Sequence, residues 1–74
     1  MINKQLVGQR FREARLQKHF TCREVSEVLG ISTSYYSRIE RNGSNLRLER
    51  LVQICILLDL SVDDLMRDCS LPQA

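Results

Sequence analysis

Seventy-four residues with 43% apolar and 27% charged side chains set the scale of one small globular domain, and that balance excludes a disordered tail. No apolar run approaches the length of a membrane span, Met1-Ile2-Asn3-Lys4 leads into no signal-type apolar core, and three unevenly spaced cysteines (Cys22, Cys55, Cys69) make no disulfide framework, so reduced thiols and the cytoplasm are expected. The net charge of +2 is polarised, with ten basic and five acidic side chains in residues 1–50 but only Arg67 against Asp59, Asp63, Asp64 and Asp68 in residues 51–74, so a polyanion is drawn to the first part of the chain.

The first predicted helix runs from about Asn3 to Lys18, where Val7, Phe11 and Ala14 repeat at three- and four-residue intervals as a core stripe. Arg10, Arg12, Arg15 and Lys18 surround that stripe. Lys18-His19 ends the helix, and Phe20 packs beneath the next turn. His19 is the sole histidine and has no cysteine at ligand spacing, so neither a metal site nor a catalytic acid, base and oxyanion set can be assembled. No enzyme and no cofactor are expected.

Thr21 with Glu24 has capping-box spacing and opens a second helix, Cys22 to Leu29, with Val25 and Leu29 on one face beside the small Ser26. Gly30 can take the left-handed conformation that ends a helix, and Ile31 re-enters the core. Ser32 caps a third helix, Thr33 to about Arg41. Its inward positions are Tyr36 and Ile39, which leaves Thr33, Ser34, Tyr35, Ser37, Arg38 and Arg41 outward. After the loop Asn42-Gly43-Ser44-Asn45, a fourth helix from Leu48 to Leu58 turns Leu48, Leu51, Ile54, Cys55 and Leu58 inward. Ser61 and Asp64 have cap spacing and start a fifth, from Val62 to about Arg67, with Leu65 inward. Residues 69–74 read as a fraying tail.

Two helices joined by a tight turn containing glycine form the helix-turn-helix unit, whose second helix enters a DNA major groove. Gly30-Ile31-Ser32 followed by Tyr36-Ser37-Arg38-Ile39-Glu40-Arg41 resembles the phage repressor and Cro type of this unit, the XRE-like family. Arg10-Phe11-Arg12-Glu13-Ala14-Arg15 before it, and Leu48-Glu49-Arg50-Leu51 and Leu60-Ser61-Val62-Asp63-Asp64-Leu65 after it, fit the same pattern without gaps, from roughly Val7 to Met66. The resemblance implies an all-α fold, a compact five-helix lambda-repressor-like domain over residues 1–74 with its core in about 7–66. It also implies a transcriptional regulator of double-stranded DNA in a bacterial or phage-type cytoplasm, and a partly buried Arg15–Glu40 ion pair tying the first helix to the third. The chain departs from the family pattern in several places. Cys22 stands where a phosphate-bracing glutamine is usual, Ser26 and Cys55 where alanine is, and His19, Asn42 and Asp59 where glycine is. Leu46 replaces a common proline.

The residues expected to read bases are Thr33, Ser34, Tyr35, Ser37 and Arg38. Arg38 leads because a guanidinium can bond G O6 and N7 bidentately. Tyr35 either touches a thymine methyl or a phosphate, or rests on its own helix. Phosphate contacts are expected from Cys22, Arg23, Arg41, Asn42, Gly43, Ser44 and Asn45, those at Cys22 through backbone amides at the helix N-terminus. Arg23 is equally placed to pair with Glu27. Ile56 falls where a polar residue is usual, Val52 precedes it by one turn, and Leu71 lies beyond the fifth helix. These three predict a homodimer interface and a pseudo-palindromic operator, with Ile56 and Val52 alternatively widening the core stripe. No small-molecule ligand site is evident. The competing class is a protein-interaction module that keeps the scaffold without reading DNA, consistent with the modest charge, the absent glutamine and the hydroxyl-rich third helix. Steep weakening of DNA binding by salt separates the two. A phage repressor, a restriction-modification controller and an antitoxin all suit the pattern.

Overall fold

Each helix begins and ends where local chemistry tells it to. The computed structural model describes residues 3–43 and 46–69, which form α1 (Lys4–Gln17), α2 (Cys22–Leu29), α3 (Thr33–Asn42), α4 (Leu48–Leu57) and α5 (Val62–Asp68). Asn3 Oδ1 accepts from the Gln5 and Leu6 amides, and the Ser32 and Ser61 hydroxyls accept from the amides of Tyr35 and Asp64. Thr21 and Glu24 close a capping box, the Thr21 amide donating to Glu24 Oε1 at 2.9 Å and the Glu24 amide to Thr21 Oγ1 at 3.1 Å. Among the described residues, α4 starts at Arg47 without a side-chain cap.

Helices α1, α2 and α4 end by the same device. Two amides just past the helix return to carbonyls of its last turn, and the residue carrying the first of them is left-handed. These residues are His19, Gly30 and Asp59, with φ of 61°, 72° and 59°. The longer return bonds run from Phe20 to the Arg15 carbonyl, Ile31 to Ser26 and Leu60 to Cys55. The end of α3 corrects the sequence reading. Asn42 stays in the last helical turn, and the left-handed residue is Gly43, whose amide donates to the Ile39 carbonyl at 2.8 Å. Gly43 is buried against the start of α1, where a Cβ would run into Lys4, so only glycine fits.

The core joins Val7, Phe11 and Ala14 of α1, Val25 of α2, and Tyr36 and Ile39 of α3 with Leu51, Ile54, Cys55, Leu58, Leu65 and Cys69. Helix α1 packs most extensively on α3. A Cβ at Gly8 would fall on the Ile39 and Glu40 carbonyls, so the two backbones meet there directly. Glycine costs about 1 kcal/mol against alanine inside a helix, and this crossing is what it permits. It fixes α3 against α1.

Two further expectations need correcting. Leu48 does not face the core. As the first residue of α4 it is exposed, on the lip of a shallow cleft of about 220 Å³ shared with Lys4, Val7, Leu46, Leu51 and Met66. Cys69 is not part of a tail. It is fully buried, its amide donates to Leu65, and its carbonyl accepts from the Asn3 amide at 2.7 Å, which closes the two ends of the domain on each other. Ser44, Asn45 and Leu71 lie outside the described residues.

Candidate nucleic-acid interface

Three inward residues anchor α3: Tyr36, Ile39 and Glu40. Glu40 is 8% exposed and faces Arg15, itself 9% exposed. Arg15 Nε donates to Glu40 Oε2 at 2.7 Å and Nη2 to Glu40 Oε1 at 3.1 Å, a bidentate pair, while Nη1 donates to the Phe20 carbonyl at 2.9 Å. The hydrogen bond to Glu40 raises the Arg15 pKa further. Cys22 Sγ lies 3.9 Å from Glu40 Oε1, so its thiol packs on the ion pair. The Tyr36 hydroxyl is buried beside this cluster, and among the described residues it makes no well-formed hydrogen bond. Burial, and after it the nearby Glu40 carboxylate, holds that phenol far above its ordinary pKa.

With the inward side fixed, Thr33, Ser34, Arg38 and Arg41 stand exposed along α3, and Ser37 and Tyr35 are partly buried on its two flanks. On the Ser37 flank a cleft of about 310 Å³ is lined by Arg12, Arg15, Cys22, Ser37, Glu40 and Arg41. Glu40 neutralises Arg15, so Arg12 and Arg41 set its positive charge. Helix α2 begins there too, at Cys22, and its Cys22 and Arg23 amides have no intrahelical acceptor, while the Glu24 amide is capped by Thr21. Arg12 was not singled out from the sequence, and only the crossing of α1 on α3 carries it to Cys22 and Arg41. On the Tyr35 flank a larger cleft, about 490 Å³, is lined by Tyr35, Arg47, Glu49, Arg50 and Gln53. Arg50 Nη1 donates to the Leu29 carbonyl and to Gln53 Oε1, both at 3.1 Å, which ties α4 to the end of α2. Arg47 is the exposed cation of this flank. Its one sequence signal was its spacing from Arg50 across the first turn of α4.

The remaining predicted contacts divide. Arg23 pairs with Glu27 at 3.2 Å, both side chains well exposed, a contact worth little by itself. Asn42 is exposed at the end of α3. Gly43 leaves the phosphate set, because it is buried and its amide is committed to Ile39. Ile56 is 76% exposed, but Val52 packs against the core. The apolar neighbour of Ile56 is instead Val28, 70% exposed, and the two line a cleft of about 310 Å³ with Leu29, Gln53 and Leu57. Among the described residues, no group of three or more His, Cys, Asp or Glu could hold a metal, and no helix is long and apolar enough to cross a membrane.

The left-handed turn at Gly30 sets α3 across α2 with a polar face outward, and this geometry defines the helix-turn-helix class. The helix-turn-helix family matches residues 11–65, and the chain belongs to that family, in its XRE-type form. It is 34% identical over 64 residues to the HTH-type transcriptional regulator SinR of Bacillus licheniformis, across 85% of this chain and 58% of that protein. Its identity to SinR of Bacillus subtilis (strain 168) is 36% over 62 residues, across 82% and 56%. The chain spans a little over half the length of these curated relatives. Among solved structures, the clp gene regulator ClgR of Corynebacterium glutamicum superposes with a TM-score of 0.81 at 29% identity, over 92% of this chain and 87% of that one. SinR, the master regulator for biofilm formation, solved in complex with DNA, superposes with a TM-score of 0.70 at 37% identity, over 80% and 95%.

Proposed function

We propose that the chain is a sequence-specific regulator of transcription that binds double-stranded DNA in the cytoplasm and performs no catalysis, with residues 1–74 acting as one DNA-binding domain. The observation that carries this reading is the exposed face of α3. It offers hydroxyls and a guanidinium between two clefts with exposed arginines, and is braced from beneath by Arg15 and Glu40. The likeness to a regulator solved on DNA supports it. Phosphates dock at Arg12, Arg41 and the Cys22 and Arg23 amides on one flank and at Arg47 and Asn42 on the other, while Thr33, Ser34, Ser37 and Arg38 meet base edges. Tyr35 borders the second flank.

One reading helix covers too few base pairs to pick out a site alone, so two copies act together through the surface around Ile56 and Val28. A two-fold pair with readers about 34 Å apart calls for a pseudo-palindromic operator. Selection of bound duplexes from a random pool tests the function. Wild type should enrich one such sequence, and Arg38→Ala should lose about 1–3 kcal/mol of affinity for it while relaxing the choice at one G·C pair. No enrichment by wild type contradicts the reading. An equal loss on every sequence moves Arg38 to a phosphate.

A further inference from the structure

We infer that Ser26, buried beneath the reading helix, decides which bases Thr33 accepts: it makes the Thr33 hydroxyl a hydrogen-bond acceptor toward the groove, so that Thr33 favours the amino groups of adenine N6 or cytosine N4. The inference rests on the proposed role of α3 as the DNA reader.

Ser26 is 1% exposed. Its Oγ donates to the Arg23 carbonyl at 2.9 Å and lies 3.1 Å from Thr33 Oγ1. Each hydroxyl has one proton and two lone pairs, and a carbonyl only accepts. The Ser26 proton is therefore spent on Arg23, and the Thr33 proton points down at Ser26. This arrangement makes two hydrogen bonds from two protons. The reverse makes one and leaves the buried Ser26 oxygen with nothing to accept from.

Thr33 itself is exposed in the first turn of α3, the part of a reading helix that meets base edges. With its proton turned inward, it presents only lone pairs outward. A free threonine hydroxyl bonds donors and acceptors alike. This one does not. Guanine O6 and N7 and thymine O4 are acceptors, and so is a phosphate oxygen. To bond any of them, Thr33 must withdraw its proton from Ser26, at the cost of one internal hydrogen bond. Ser26 touches no DNA in this arrangement and acts as a positioning residue.

The test uses the same random duplex pool with wild type, Thr33→Val and Ser26→Ala, each variant first checked by a thermal melt. Thr33→Val keeps the shape, removes the hydroxyl, and marks the base position that Thr33 contacts. There, wild type should favour A or C over G and T on the contacted strand by about fivefold, the worth of one hydrogen bond. Ser26→Ala frees the Thr33 proton, so the preference at that position should shrink to about twofold or less while the other positions keep theirs. Should Ser26→Ala not fold, Ser26→Cys carries the same readout, since a thiol accepts weakly. The inference is overturned if wild type prefers G or T at that position, if Thr33→Val changes no position, or if the Ser26 variant keeps the full preference. If wild type enriches nothing, the DNA-reading assignment fails first and takes this inference with it, which separates the two failures.

Discussion

The phenol of Tyr36 fills the centre of the core, and among the described residues its buried oxygen makes no well-formed hydrogen bond, although the Glu40 carboxylate is close enough to act on it. Burying a hydroxyl without a hydrogen bond costs roughly 1–3 kcal/mol. Tyr36→Phe removes that oxygen at almost no change of shape, so at neutral pH it should melt at or above wild type. The pH dependence follows from the direction of the shift. The folded state holds the phenolic proton well above the ordinary value of 10.0, whereas the unfolded chain releases it near there. The stability this group lends is complete below about pH 10 and declines as pH rises beyond it. Burial raises Cys55 and Cys69 from 9.0 in the same sense, so their part of the decline begins about one pH unit lower. Denaturant melts between neutral pH and about pH 11 should show a shallower alkaline loss for Tyr36→Phe than for wild type. Identical alkaline limbs would place the Tyr36 oxygen in contact with solvent.

Between elements, the Arg15–Glu40 pair is the polar link from α1 to α3, packed beside the Gly8 crossing. Arg15→Ala leaves the buried Glu40 carboxylate without its guanidinium, facing the Cys22 thiol at 3.9 Å. It should cost on the order of 3 kcal/mol, a fall in melting temperature of roughly 10–20 °C for a domain this small. A melt within a degree or two of wild type would mean that the carboxylate finds water. Helix starts were legible in the sequence because capping is local: Thr21 with Glu24, Ser32 and Ser61 act on amides three residues away. What the sequence did not disclose depends on distant neighbours. Gly43 rather than Asn42 takes the left-handed position and packs on Lys4, where no Cβ fits, the Cys69 carbonyl accepts from the Asn3 amide, and Leu48 lies beyond the reach of the core. Gly8, an isolated glycine inside a helical pattern, was a signal passed over.

For the molecule as a whole, the proposed reading face was legible where one helix supplies it. Period alone places Thr33, Ser34, Arg38 and Arg41 outward on α3, whereas Tyr35 and Ser37, expected outward with them, are partly buried on its flanks. The clefts beside it were half hidden, because Arg12 and Arg47 come from other parts of the chain and meet α3 only in the fold. The same limit applied to the apolar surface, where Ile56 was visible as exposed but its companion Val28, on α2, was not. A charge at a two-fold contact appears twice, so Ile56→Lys should convert a sedimenting dimer to monomer and weaken operator binding. A variant that stays dimeric with full affinity would move the interface elsewhere.

Amide chemical-shift mapping of the wild-type chain against a short duplex at low salt reads directly which face meets DNA. Perturbations should concentrate at Thr33, Ser34, Ser37 and Arg38, at the first turn of α2, and around Arg12 and Arg41, and should fade as salt is raised. Shifts gathered instead on Val28 and Ile56 or along α5, or none at all, would contradict the proposed reading face.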